Sequence, residues 1–300
     1  MSKTIAHIDK REGLAKGVTD LLELVKIRLT MVVVLTAVGA YIVASQGEIT
    51  LLQFVFLSIG GFGVTGAANA INQVLEKDFD KLMVRTKNRP VAAERMTISS
   101  AVLMAGFMCL TGITALSLFN PVTAFFGMLA FILYGFVYTP LKRYSSVAVW
   151  IGAIAGAMPM LIGVMAFDPS LMGLGLWLFS IQFAWQFPHF WAIAFIGHKE
   201  YKKAGFQFVP TENGVPSKQL GISSVLFSIA LLLIGFVGYY LGHVGILGLS
   251  IGTVMHVVFV HYSWKFLKRF NTPSAHHLMF YSLIYIPAIL FVIIIDKIIF

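Results

Sequence analysis

Charged residues are scarce in this sequence of 300 residues. Asp, Glu, Lys and Arg make up 12% of it, whereas soluble domains usually carry about a quarter. Hydrophobic residues make up 58%, and the mean hydropathy is +0.85. This composition excludes a soluble globular protein. Cysteine is almost absent as well, because Cys109 is the single one. A disulfide within the chain is therefore excluded, and a thiol nucleophile is disfavoured because Cys109 lies in an apolar run.

The sequence contains long apolar runs. A helix needs about 20 residues to span a bilayer, and nine runs reach roughly that length: 21–45, 51–71, 97–118, 121–138, 146–167, 170–197, 219–242, 244–264 and 276–296. We therefore predict an all-α polytopic membrane protein with nine transmembrane helices. Residues 21–300 form its membrane domain, and residues 1–20 form a cytoplasmic N-terminal segment.

The positions of lysine and arginine predict the orientation. The N-terminus and the loops after the even-numbered runs hold 21 of the 22 Lys and Arg residues, and Lys297 lies on the other side. Positive residues stay inside, so we expect the N-terminus to be cytoplasmic and the C-terminus to be outside. The net charge of +9 then reflects topology and does not indicate nucleic-acid binding. The first 20 residues, with Asp9, Glu12 and Asp20, resemble neither a signal peptide nor a transit peptide, which favours a bacterial cytoplasmic membrane.

Much of the charge lies between residues 72 and 90, at the end of the second run. Asn72, Glu76 and Asp80 are spaced four residues apart, so a helix would present them on one face. Asp78 would point to the opposite side. A row of hard oxygen ligands suits Mg²⁺, which often bridges to phosphate oxygens. We therefore interpret these three residues as a metal site at the membrane surface.

Cations follow these acids directly. Lys81, Arg85, Lys87 and Arg89 stand beside them, and guanidinium groups bind phosphate in bidentate fashion. The combination of carboxylates and cations predicts a site for a diphosphate. The alternative is a positive cytoplasmic loop with incidental acids.

Two further places in the sequence offer polar residues. Tyr138, Lys142 and Arg143 surround Pro140, which we expect to end the fourth helix. Gln186 and His189 flank Pro188, where we expect a kink or break that lines a cavity. Both groups also allow a structural interpretation, as loop charges and as a hydrogen-bonded histidine. Lys26 and Arg28 are interpreted as membrane anchors, and the glycines of the second and fifth runs as close packing sites, with the second helix central.

Three motifs together resemble one family. Residues 72–90, with the pattern Asn-x3-Glu-x3-Asp-x4-Arg-Thr-x2-Arg-Pro, are similar to the asparagine-and-aspartate motif of the UbiA superfamily of membrane prenyltransferases. The runs at residues 138–143 (TyrThrProLeuLysArg) and 185–191 (TrpGlnPheProHisPheTrp) narrow the resemblance to members that act on haem. It extends over all nine predicted helices.

The resemblance implies a fold, a reaction and roles for residues. It implies helices around a central cavity, and Mg²⁺-dependent transfer of farnesyl from farnesyl diphosphate to a vinyl group of haem b, which gives haem O and releases diphosphate. Haem A synthase or a terminal oxidase assembly are implied partners. The roles that it implies are metal binding by Asn72, Glu76 and Asp80; diphosphate binding by Arg85, Arg89, Lys142 and Arg143; and substrate contacts by Tyr138, Gln186, His189, Glu200 and Lys203.

The sequence departs from the family pattern at two acids. Glu76 stands where aspartate is usual, and its longer side chain can still coordinate a metal. Glu200 also replaces an aspartate, and Ala204, four residues later, supplies no second acid. Two alternative functions stay open at this point. One is prenyl transfer to an aromatic acceptor in quinone synthesis, and the other is a non-enzymatic transporter or haem-handling protein.

Overall fold

The protein is helical almost throughout. A computed structural model describes residues 15–299. Its nine long helices are α1 (Ile27–Ala44), α2 (Leu51–Leu75), α3 (Ile98–Ser117), α4 (Pro121–Ile132), α5 (Val147–Phe167), α6 (Met172–Lys203), α7 (Gln219–Tyr240), α8 (Ile246–Arg269) and α9 (Thr272–Ile299). A helix over residues 15–24 precedes α1 and runs across the segment boundary expected at residue 20. A short antiparallel pair, β1 (Thr211–Glu212) and β2 (Val215–Pro216), lies between α6 and α7.

The helices are those of a polytopic membrane protein, as predicted. Within the described part of the chain, eight helices are long and apolar enough to cross a membrane. The ninth long helix, α6, is 32 residues long but less apolar, because it carries Gln182, Gln186 and His189. The sixth apolar run was predicted to end at residue 197, but α6 continues to Lys203, so the charged residues from Lys199 to Lys203 form its last turns.

Helix α5 lies at the centre of the bundle. Of the residues in the apolar 18-residue stretch of α5, 67% are buried, compared with 39% for α2 and 22% for α3. The expectation that the second helix is central was therefore wrong. Small residues explain the burial of α5. A β-carbon at Gly163 would lie 2.1 Å from the carbonyl oxygen of Ala37, so glycine lets α1 and α5 approach closely.

The predicted role of the α2 glycines in packing agrees with the structure. A β-carbon at Gly63 would lie 2.6 Å from the Met108 carbonyl oxygen and 2.7 Å from the Gly112 α-carbon. The backbones of α2 and α3 are therefore in direct contact. This close contact holds α2 against α3, while the C-terminal end of α2 carries the polar residues of the candidate site.

Pro140 lies one residue before its helical segment ends at Leu141, whereas Pro188 does not break its helix. After α4 the chain continues through a π-helical turn (Leu133–Tyr138) and a last turn (Thr139–Leu141), so Pro140 lies inside helical structure. The wider π turn bonds each N–H five residues back, which relieves the clash that proline causes in an α-helix. The hydroxyl of Thr139 also donates to the Tyr134 carbonyl oxygen at 2.8 Å. Pro188 likewise lies inside the unbroken helix α6.

One buried carboxylate caps a helix at the end of the bundle opposite residues 72–90. Asp296, near the end of α9, is 2% exposed. Its oxygens accept hydrogen bonds from the backbone N–H groups of Gly245 and Gly248, at 2.5 and 2.8 Å. Because the first N–H groups of a helix have no partner within it, Asp296 caps the start of α8 from another helix.

Candidate active site

Asn72, Glu76 and Asp80 lie together where α2 ends. Helix α2 stops at Leu75, but the N–H of Glu76 bonds the Asn72 carbonyl at 3.0 Å and the N–H of Asp80 bonds the Glu76 carbonyl at 2.8 Å. Helical spacing therefore continues through the short turn Lys77–Asp80, and the three side chains stay on one face. Their exposed fractions are 1%, 3% and 0%, in that order, while Asp78 is exposed.

Each of these three side chains contacts a cation. The guanidinium group of Arg89 donates to both carboxylate oxygens of Asp80, at 2.9 and 2.8 Å. The ammonium group of Lys142 lies 2.5 Å from Glu76 Oε1. The third contact is made by Lys26, whose ammonium group donates to Asn72 Oδ1 at 2.8 Å. The cluster thus brings together the residue before α1, the end of α2 with the segment that follows it, and the residue after the turn Thr139–Leu141.

The position of Lys26 corrects the sequence interpretation. It was expected to anchor the helix in the membrane surface, yet its ammonium group points into the cluster. Its backbone is left-handed, with φ 50° and ψ 58°, and this turns the chain between residues 24 and 27. No glycine or proline marks that turn in the sequence, so nothing local to Lys26 could have predicted it.

Burial and charge oppose each other in this cluster. Burial raises the pKa of the Asp80 carboxyl, and the Arg89 guanidinium opposes that rise through its charge and its hydrogen bonds. Burial is also the main cause that lowers the pKa of Lys26. Arg89 adds to this effect, and the Glu76 carboxylate opposes it. In their charged forms Lys26, Arg89 and Lys142 carry one positive charge more than the two carboxylates carry negative charge, and a bound anion would favour the charged form of Lys26.

Aromatic rings surround the cations. The ammonium group of Lys142 lies 4.8 Å from the centre of the Tyr138 ring. The guanidinium group of Arg143 stacks over Phe79 at 4.1 Å, and it also donates to the Leu75 carbonyl. Arg85 donates to the hydroxyl of Tyr201 at 3.3 Å. Cation–π contacts hold such cations in place while leaving their other donors available, and Tyr201 is a site neighbour that the sequence did not indicate.

A wall of rings leads from the cluster into the bundle. Tyr134 and Tyr138 pack with ring centres 5.3 Å apart, and Tyr138 contacts Phe190 at 6.5 Å. Phe190 in turn contacts Phe208 at 5.9 Å. The wall therefore connects the charged end of the site with the middle of α6, where His189 precedes Phe190.

His189 is held by α9. Its Nδ1 lies 2.8 Å from the hydroxyl of Ser282, and its ring stacks on Trp185 with centres 4.8 Å apart. The indole N–H of Trp185 donates to the Ser282 carbonyl at 2.7 Å. These bonds fix the orientation of the imidazole ring. Gln186 points instead towards α5, where its amide donates to the Ala153 carbonyl at 2.9 Å.

Some predicted residues are not drawn into the cluster. Glu200 is half-buried and Lys203 is exposed, and neither forms an ion pair within residues 15–299. Lys81 pairs with Glu94 at 2.9 Å. Hydrogen bonds from Lys81 and Lys77 to Glu94 lower the pKa of that exposed carboxyl.

The donor set fits a hard divalent ion. Two buried carboxylates and an amide oxygen are ligands that Mg²⁺ accepts, provided that water or phosphate oxygens complete its six positions. No group of three or more His, Cys, Asp and Glu side chains that could enclose an ion occurs among the described residues. The residues therefore suit a metal shared with a phosphate-bearing ligand better than one held by protein alone.

The chain is similar over most of its length to proteins of one family. The profile of the UbiA prenyltransferase family matches residues 32–284. The chain is 37% identical over 283 residues to the protoheme IX farnesyltransferase of Cytophaga hutchinsonii, covering 92% of this chain and 96% of that protein. It is 38% identical over 285 residues to the protein of the same name from Flavobacterium psychrophilum, covering 93% of this chain and 94% of that protein.

Solved structures show the same fold at low identity. A digeranylgeranylglyceryl phosphate synthase has a TM-score of 0.79 and 16% identity, covering 95% of this chain and 100% of that one. A UbiA homologue from Archaeoglobus fulgidus bound to GPP and Mg²⁺ has a TM-score of 0.61 and 15% identity, covering 92% and 99%.

Proposed function

Because the chain belongs to the UbiA prenyltransferase family, we propose that this membrane-embedded prenyltransferase moves the farnesyl group of farnesyl diphosphate to a vinyl group of haem b. The product is haem O, and diphosphate is released. The observation that carries this choice of substrates is the identity of 37% and 38% to two protoheme IX farnesyltransferases over more than nine-tenths of each chain. The site geometry supports the same reaction class independently of those names.

The charged cluster binds the diphosphate end of the donor in this proposal. Asn72, Glu76 and Asp80 would hold Mg²⁺, which neutralises the diphosphate and polarises the bond to be broken. The cations beside them take the remaining phosphate oxygens, and for this role we select Lys26, Arg85, Arg89, Lys142 and Arg143. Their placement at one end of the bundle leaves the farnesyl chain to extend into the apolar interior.

The reaction begins when the carbon–oxygen bond of the allylic diphosphate breaks. Negative charge then grows on the leaving group, where Arg89 and Lys142 stabilise it more strongly than they stabilise the intact ester. The rings of Tyr134 and Tyr138 line the path from the cluster and exclude water while the farnesyl cation exists. The terminal vinyl carbon of haem attacks it, and water then adds to the resulting cation with loss of a proton.

The aromatic middle of α6 is the acceptor end of the site. His189 is oriented by Ser282 and stacked on Trp185, and with Gln186 and Tyr138 it provides the polar contacts that we assign to haem b. Glu200 and Lys203 lie at the end of α6 and would contact the substrates only at the rim of the site. A transporter would place its ionisable groups near the bilayer midplane, whereas these groups cluster at a helix end.

The proposed setting is a bacterial cytoplasmic membrane, with the N-terminus and the charged cluster on the cytoplasmic side and residues 21–300 as the catalytic domain. Diphosphate would then leave into water, and the lipid-soluble product would stay in the bilayer. A haem A synthase or a terminal oxidase assembly would be the natural recipient of that product.

Haem analysis tests the proposal. Membranes that contain the chain are supplied with haem b and farnesyl diphosphate, and the extracted haem is separated and weighed by mass spectrometry. A farnesylated haem made by the intact chain and not by Asp80→Ala is the expected result. Prenylation of an aromatic acid instead of haem b would overturn the acceptor assignment, and the absence of any diphosphate release would overturn the reaction.

A further inference from the structure

The turn before α1 determines where the Lys26 ammonium group lies. The helix of residues 15–24 ends and α1 begins at Ile27, with Lys26 left-handed between them. A side chain with a β-carbon rarely adopts this conformation, so it persists only where surrounding contacts impose it.

Two amides of α2 bind the carbonyl groups of this turn. The amide nitrogen of Gln73 donates to the carbonyl oxygens of Glu23 and Leu24, at 2.9 and 3.0 Å. The amide nitrogen of Asn69 donates to the Val25 carbonyl oxygen at 3.2 Å. The last carbonyls of a helix lack partners within it, and here two side chains from another helix supply them.

The second bond of Asn69 connects the turn to α1. Its amide nitrogen also lies 3.2 Å from the hydroxyl of Thr30, which itself donates to the Val25 carbonyl at 2.6 Å. Asn69 and Gln73 are each 1% exposed, and Thr30 is fully buried. Water therefore has little access to these bonds. The Val25 carbonyl also accepts from Thr30 and the Glu23 carbonyl also accepts from the Lys26 N–H at 3.2 Å, whereas Gln73 supplies the donor described for the Leu24 carbonyl.

The two amides stand beside the row that receives Lys26. Gln73 directly follows Asn72 in α2, and Asn69 lies one turn earlier. One stretch of α2 thus binds the backbone carbonyls just before Lys26 and the Thr30 hydroxyl after it, and it also accepts the Lys26 ammonium group. The distance between the turn and the charged row is therefore set within a single rigid helix.

We propose that Asn69 and Gln73 are positioning residues, which hold the turn of residues 23–26 so that Lys26 can bind a prenyl diphosphate. This inference rests on the proposed function of the charged cluster. It assigns no contact with substrate to either amide, since both act through the backbone that carries Lys26.

A double-mutant cycle tests it. The variants are Gln73→Met, which keeps the length of the side chain and removes its donors, Lys26→Met, and both together, in full-length protein purified in detergent. The readout is the dissociation constant of an unreactive farnesyl thiodiphosphate, measured in the presence of Mg²⁺. Gln73→Met removes two hydrogen bonds, and we expect it to weaken binding about tenfold. We expect Lys26→Met to weaken binding about a hundredfold.

The double variant decides between positioning and general stability. If Gln73 acts through Lys26, the double variant binds no more weakly than Lys26→Met alone, whereas independent effects multiply to about a thousandfold. Gln53→Met is the matched control, because Gln53 caps the far end of α2 on its exposed surface, and it should leave binding unchanged. Multiplicative losses would overturn the proposal.

A second variant keeps the test decisive if Gln73→Met does not fold. Asn69→Ala removes a different bond to the same turn and should show the same non-additivity with Lys26→Met. If both Gln73→Met and Asn69→Ala fail to fold, the amides are structural and the proposal is overturned. Failure of the proposed function is recognised separately, because the intact chain would then bind the analogue without making a farnesylated haem, or would not bind it at all.

Discussion

Replacing Asp80 with asparagine isolates the charge of one buried carboxylate. Asp80 is fully buried and accepts both bonds from Arg89, at 2.9 and 2.8 Å. Removing one partner of a buried ion pair costs about 3–5 kcal/mol in unfolding free energy. Asparagine keeps one oxygen acceptor, and the Arg89 side chain is 19% exposed, so water can reach its other donors. We therefore expect a loss of unfolding free energy at or just below the lower end of that range, about 2–3 kcal/mol.

Turnover should fall much more than stability. In the proposed site Asp80 would hold Mg²⁺ and Arg89, whose positive charges stabilise the leaving diphosphate. Removal of one such electrostatic group usually lowers kcat about 10²- to 10³-fold. The assay measures farnesylated haem and released diphosphate at saturating donor, with protein shown to be folded by size exclusion in detergent. Asp78→Asn is the control, since Asp78 is exposed on the opposite side of the same turn. More than a third of normal turnover in folded Asp80→Asn, or an equal loss in Asp78→Asn, would refute the reasoning.

Three further changes probe other parts of the molecule. Glu76→Asp shortens the side chain and weakens its contact with Lys142, so kcat should fall about tenfold, and an unchanged rate would exclude Glu76 as a ligand. Gly63→Ala forces a β-carbon against the backbone of α3 and should destabilise the protein by about 1–3 kcal/mol, measured by thermal unfolding. Gly106→Ala is the control and should not destabilise the protein, because nothing lies within 4 Å of the added carbon. His189→Ala should abolish farnesylation of haem but leave binding of farnesyl thiodiphosphate within about twofold, well under 1 kcal/mol; equal loss of both would contradict its place at the acceptor end.

The charged row was accessible from sequence because it depends on local helix geometry. Spacing of four residues places Asn72, Glu76 and Asp80 on one face, and the structure keeps that spacing even though α2 formally ends at Leu75. The same geometry directs Asp78 outwards. The nine apolar runs were equally readable, because the bilayer imposes their length and composition.

The partners of that row were not accessible. Lys26 reaches Asn72 through a left-handed turn that amides 43 or more residues later stabilise, and no local pattern encodes such a contact. Pro140 shows a smaller limit, since it was expected to end the fourth helix and the helical structure continues one residue past it, to Leu141. Tyr201 meets Arg85 across 116 positions of sequence, so only the packing of α6 against the loop brings them together.

The cap on α8 sets an order for biosynthesis. Gly248 and Asp296, which form this cap, are 48 positions apart. At about 5–20 residues per second the ribosome needs several seconds to add the intervening chain. During that interval the first N–H groups of α8 lack their carboxylate acceptor, and an unsatisfied backbone group is unfavourable in lipid. We therefore expect the start of α8 to gain its carboxylate cap only after α9 has been synthesised.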